Sequence, residues 1–220
     1  LSPSQKINVV TVLIILLFAG AFYAVFSANS SGPASPAASA PSSAGSNPYE
    51  IATDRAEGAP DAAVTVIEYA SVTCPHCAVF QADVFPKLKQ DYIDTGKIRY
   101  IFRELPTAPG DWAKAGFLLA RCVPEERYFG FLDVLFSKQA QWIGHLDVLQ
   151  QIARASGINA EKFDQCISDQ AELDRMKKAI NFGVKEYGVK STPTFVINGK
   201  TYENMPWEQF QATLDPLLAK

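Results

Sequence analysis

The chain has 220 residues, a formal net charge of −3 and 48% apolar residues, room for one domain with a sizeable core plus extra segments. That composition excludes a disordered chain. Its interspersed charges form no basic stripe, so no nucleic-acid partner is expected.

Residues 1–6 form a short stub, expected to be cytoplasmic, and Lys6 is its only charge. Residues 7–28 carry only Asn8, Thr11, Tyr23 and Ser27 as polar side chains, long enough to cross a hydrocarbon core as a helix. They read as a single transmembrane anchor. The competing reading is a cleaved signal peptide, with residues 7–18 as its apolar region and Ala19-Gly20-Ala21 as its cleavage site. Lys6 before the span and no charge after it until Glu50 place the N-terminus inside and the bulk of the chain outside. Either way the domain is exported, where its four cysteines can be oxidised. Residues 29–48 are almost entirely Ser, Ala, Pro and Gly, a linker spanning roughly 25 Å as a coil and about 60 Å if extended.

From Tyr49 onward the pattern is globular. Residues 64–69 are apolar and β-branched enough for a buried central strand. A helix is predicted from Pro75, kinked or broken at Pro86, resumed over 87–93 and ended by Gly96, before a second strand over 97–102. Residues 110–187 read as one long helical region punctuated by Pro124, Gly144, Gly157 and Gly188. Asp169-Gln170-Ala171-Glu172 has the pattern of a capping box opening its last helix, and Gly157 and Gly188 suit C-terminal caps. A strand over 194–197, the hairpin signal Asn198-Gly199, a strand over 200–202 and an amphipathic helix over 206–218 close the chain.

The chemistry concentrates in Cys74-Pro75-His76-Cys77, directly after the first strand and at the start of a helix. Two cysteines so spaced can close a disulfide, and Cys74 sits where free backbone N–H groups and the helix dipole favour a thiolate. Cys74 is therefore the candidate nucleophile and Cys77 the shielded resolving thiol. His76, protonated or donating its N–H, would further stabilise the Cys74 thiolate. Pro75 fits the first helical position, where its missing N–H costs nothing. Zinc would need four ligands, whereas only distant Cys122, Cys166 and His145 remain, so neither metal nor cofactor is expected.

Glu68 falls on the strand face of Val64 and Val66, where an ionised carboxylate is expensive to bury. The alternative is that strand twist carries it to solvent or to an arginine such as Arg103. Trp112, Phe117, Leu118, Phe129, Phe131, Phe136 and Trp142 read as the core of the helical block, with those near the dithiol able to line an apolar groove instead. Cys122 and Cys166 fall in that block and, on the residues alone, could equally pack unpaired as small hydrophobes.

Cys74-Pro75-His76-Cys77, the segment Thr192-Pro193-Thr194 with its Asn198-Gly199 hairpin, and the helical block between them resemble the bacterial DsbA-like thiol:disulfide oxidoreductases of the thioredoxin-like superfamily, in their membrane-anchored form. The resemblance covers residues 49–220. It implies an α/β thioredoxin fold with a helical domain inserted at about 109–187, preceded by the anchor and linker. It implies that Pro193 is a cis-proline facing the dithiol, leaving the Thr192 backbone free to pair with an extended substrate. By the same resemblance Glu68 exchanges a proton with the resolving thiol, and Cys122 and Cys166 form a second, structural disulfide. The implied activity is donation of disulfides to unfolded or newly translocated cysteine-containing proteins, with reoxidation by a DsbB-like membrane partner. The implied location is the bacterial inner membrane, single-pass, with the catalytic domain in the periplasm, or the soluble periplasm if the leader is cleaved. Many DsbA proteins carry valine in place of Thr192, and threonine also occurs in the isomerase branch. An isomerase or reductase on the same scaffold therefore stays open, as does a redox-independent chaperone.

Overall fold

Strand β2 (Val64–Ala70) is buried along its whole length, which is why its sequence runs apolar without alternating. This computed structural model describes residues 47–219. The expected stub, membrane anchor and most of the linker lie outside the described residues, among which no helix is long and apolar enough to cross a membrane.

Five strands form one sheet in the order β1-β3-β2-β4-β5, with β1 at Arg55–Gly58, β3 at Ile98–Glu104, β4 at Thr194–Ile197 and β5 at Lys200–Tyr202. β2 and β3 run parallel, and the other pairings are antiparallel. The edge strand β1 is a feature that sequence reading did not anticipate. Its Arg-Ala-Glu-Gly carries no apolar alternation, and it is held by pairing with β3. Asn198 and Gly199 take positive φ values of 44° and 82° in the β4–β5 hairpin, the combination a tight two-residue turn requires.

Helix α1 (Pro75–Asp83) leaves the C-terminal end of β2. It stops at Val84, and a short helix α2 (Phe85–Leu88) with Pro86 in its first turn continues into a π-helical turn at Lys89–Ile93. Proline is tolerated there because the first N–H groups of a helix have no partner to lose. The region expected as one long helical stretch is cut into α3 (Gly110–Cys122), a 3₁₀ turn (Glu125–Arg127), α4 (Tyr128–Ser137), α5 (Gln139–Trp142), α6 (Leu146–Ala155), α7 (Ala160–Ile167) and α8 (Gln170–Tyr187). Asp169 caps α8 by accepting from the N–H of Glu172, and Gly188 ends it in the left-handed conformation. Helix α9 (Trp207–Leu218) follows Pro206.

Strand periodicity divides the interior between the two faces of the sheet. Val64, Val66, Tyr100 and Phe102 join the large core shared with the helices, including Phe117, Phe131, Phe136 and Trp142, with Trp112 and Phe129 packed at its margin; Leu118 is buried but stands outside that cluster. Ile67, Tyr69, Ile101 and Val196 face a smaller cluster with Val189. Cys122 at the end of α3 is bonded to Cys166 in α7, Cα atoms 6.0 Å apart, tying two helices of the inserted block together.

Candidate active site

Cys74 occupies the N-cap of α1, between the end of β2 and the first helical turn, and is 7% exposed; Cys77, one turn in, is wholly buried. Both are free thiols in this structure. The loop that presents them is fastened from two directions. Ser71 accepts from the backbone N–H of Thr107, and the Thr73 hydroxyl donates to the Thr107 carbonyl, joining the loops that follow β2 and β3. From the helical block, the Gln139 amide donates to the carbonyls of Val72 and Cys74 at 2.9 and 3.1 Å.

The two sulfurs are electrostatically unlike. The Cys77 thiol donates to the Cys74 sulfur, and with the Thr192 hydroxyl and the backbone N–H groups of Cys77 and His76 it lowers the Cys74 pKa to about 5 against the opposing effect of burial. Cys77 is pushed far above the ordinary thiol value, first by its bond to the Cys74 sulfur, then by burial and by the charge of Glu68. His76 is exposed and acts on Cys74 through its backbone N–H, and no hydrogen bond joins its imidazole to that sulfur among the described residues.

Thr192 and Pro193 arrive from the loop before β4. The Thr192–Pro193 peptide bond is cis, and the Cys74 thiol donates to the Thr192 carbonyl at 3.5 Å. That contact suits the thiol and not the thiolate, because a carbonyl oxygen repels negative charge. The backbone of Thr192 thus lies against the nucleophile, where an extended peptide could reach it. A second cis bond, Ala108–Pro109, precedes α3 and has no separate sequence signal.

Glu68 is wholly buried on β2, on the face that sequence periodicity assigns it. Its partners are not Arg103. Arg103 stands one strand position away on the opposite face, where it pairs with Asp54 at 2.7 Å, donates to the Tyr69 hydroxyl and lies over the Phe182 ring. Glu68 instead accepts from the Tyr100 hydroxyl and from the Gln81 amide at 3.1 Å, both on the same oxygen. Burial raises its pKa to about 8, the charge on Cys74 adds to the rise, and the two donors oppose it. Tyr100 and Gln81 were legible in principle: Tyr100 shares the strand face of Phe102, and Gln81 lies one helical turn beyond Cys77.

A strand–helix–strand unit delivering an asymmetric dithiol to a cis-proline, with a buried acid behind it, defines a scaffold for thiol–disulfide exchange. The profile of the family described as Thioredoxin matches residues 50–216. A Rickettsia bellii protein provisionally named a protein-disulfide oxidoreductase is 34% identical over 166 residues, covering 74% of this chain and 63% of its own length. Disulfide bond formation protein D of Bacillus subtilis is 26% identical over 167 residues, 72% of this chain and 74% of that one. Among solved structures, alpha-DsbA1 of Wolbachia pipientis superposes with a TM-score of 0.72 at 32% identity, covering 77% of this chain and 93% of that one. The chain belongs to the thioredoxin family, among its DsbA-like thiol:disulfide oxidoreductases. It spans between 56% and 63% of the length of its rickettsial relatives.

Proposed function

We propose that the protein is a dithiol oxidase that donates disulfide bonds to unfolded, cysteine-containing proteins. The observation that carries this reading is the inequality of the two thiols: a Cys74 thiolate held at low pKa stabilises the reduced protein alone, which makes the Cys74–Cys77 disulfide easy to reduce. In the forward step a substrate thiolate attacks Cys74, the Cys74–Cys77 bond breaks, and the electron pair leaves on Cys77, which takes a proton from Glu68. A second substrate thiolate then attacks the substrate sulfur of the mixed disulfide. The substrate leaves oxidised, and Cys74 departs as its stabilised thiolate. Pro193 and Thr192 present backbone to the substrate, and the Cys122–Cys166 bond braces the helical block. Residues 7–28 would hold the domain to the outer face of a bacterial inner membrane through the 29–48 linker, near a DsbB-like partner that reoxidises it, so that both share one surface.

Oxidised protein mixed stoichiometrically with a reduced, unfolded substrate should form substrate disulfides, and Cys74→Ser should abolish the transfer. A second reading, as an isomerase or reductase, follows from threonine at position 192, which in the resemblance also occurs in the isomerase branch. Rescue of a scrambled substrate by the reduced protein, with no net oxidation by the oxidised one, would select that reading.

A further inference from the structure

Glu68 must recover or release a proton in every turnover, yet its carboxyl is wholly buried, and Oε1 has no hydrogen-bond partner among the described residues. Its other oxygen accepts from Gln81, and Gln81 also lies within reach of the Tyr100 oxygen. Unlike Glu68, Tyr100 and Cys77, Gln81 is only half-buried. It lines an open groove of about 670 Å³ between α1, α2 and α4, ample for water, whose wall also holds Ala78, Phe85, Lys89 and Asp133. Gln81 stands one turn after Cys77, so a single face of α1 carries the resolving thiol and the amide that touches its acid.

We propose that Gln81 is the positioning residue through which Glu68 exchanges its proton with solvent, by way of the groove along α1. The inference rests on the reading of Glu68 as the proton partner of Cys77. When the Cys74–Cys77 bond breaks, Glu68 gives its proton to the Cys77 sulfur and becomes a carboxylate. The Gln81 amide, a neutral donor, holds that carboxylate by a charge-assisted bond. As the amide turns aside, groove water bearing a proton from hydronium or buffer acid reprotonates Glu68, and the reverse path empties it on reoxidation. An amide suits this place because it adds no charge to a groove that already holds Asp83, Asp133 and Lys89, the last paired with Glu57 and Asp94. The charged or titratable groups facing Glu68 are Cys74 and Cys77 from the α1 side and Tyr100 from β3.

The test is stopped-flow reduction of the Cys74–Cys77 disulfide by a small dithiol in the full-length protein, followed across the interval from about 5 to about 8 where the two groups titrate. Gln81→Leu removes the donor and closes the wall to water. It should slow the proton-dependent phase by about tenfold or more and displace its pH profile. Gln81→Ala opens the same wall and should restore a rate near or above that of the parent. A Leu variant with parental rate and profile would overturn the proposal. So would equal losses in both variants with an unmoved pH profile, since that is the signature of packing alone. A Glu68→Gln protein whose profile matches the parent would overturn it from the other side, by removing the role of Glu68 on which it rests.

Discussion

Tyr100 donates its hydroxyl to Glu68 from two positions before Phe102, the register partner of Glu68 on the parallel neighbouring strand. A phenol and a carboxyl are thereby sealed together beneath the dithiol, and the acid's pKa stands at about 8 against an ordinary 4.5. The folded chain therefore keeps a proton that the unfolded chain releases. The stability this contributes is complete below about 4.5 and is lost as the pH rises through about 8. Denaturant titrations of the oxidised protein, in which Cys74 cannot ionise, should show stability falling across that interval, somewhat earlier than in the reduced protein. Glu68→Gln should flatten the fall, whereas Tyr100→Phe, by removing a donor to the carboxylate, should move its upper end higher. A Glu68→Gln slope equal to the parent's would contradict the assignment.

Cys74 has the opposite linkage. Its folded pKa of about 5 lies below its ordinary 9, so the stability it contributes to the reduced protein is present above about 9 and lost as the pH falls through about 5. The oxidised protein has no such term. Ultraviolet absorbance of the thiolate should titrate near about 5, and the stability of the reduced protein relative to the oxidised one should decline in step on acidification. A midpoint near the ordinary thiol value would refute the mechanism's first requirement.

Gly183, inside α8, carries no side chain because Tyr69 occupies the space: a Cβ there would lie 2.4 Å from the ring. The ring cannot readily yield, since Arg103 donates to its hydroxyl and is itself paired with Asp54. Gly183→Ala should cost about 1–3 kcal/mol despite alanine's better helix propensity. A urea midpoint at or above the parent's would mean that the ring moves freely.

The Cys122–Cys166 bond closes a loop with a sequence separation of 44, for which chain entropy gives a stabilisation of about 4 kcal/mol. Replacing both cysteines with serine should lower the denaturation midpoint by an amount approaching that, while the rate of exchange at Cys74 stays within about twofold of the parent's. Loss of exchange in a folded double variant would show that the helical block sets the chemistry of the dithiol as well as its surroundings.

The elements legible in the sequence were those with a strong local cause: the β-branched run of β2, Pro75 behind Cys74, the Asn198-Gly199 turn, and Asp169 and Gly188 at the ends of α8. β1 left no such trace because pairing with β3, a long-range event, makes it a strand. The long helical region was readable as helical, but its break at Lys138, between α4 and α5, has neither proline nor glycine to mark it. At the site, the dithiol was visible as a motif. The environment of Glu68 was half visible, because period two assigns its face while Tyr100 and Gln81 meet it only through the packing of β3 and α1 on β2. Gln139, reaching the Cys74 carbonyl from the inserted block, could not have been placed without the tertiary fold.

If the inequality of Cys74 and Cys77 makes this protein a disulfide donor, the reduction potential of the pair, measured by equilibration with glutathione buffers, must lie high. The expected value is on the order of −100 to −180 mV, well above the glutathione poise. A value near or below about −250 mV would contradict it and identify a reductase.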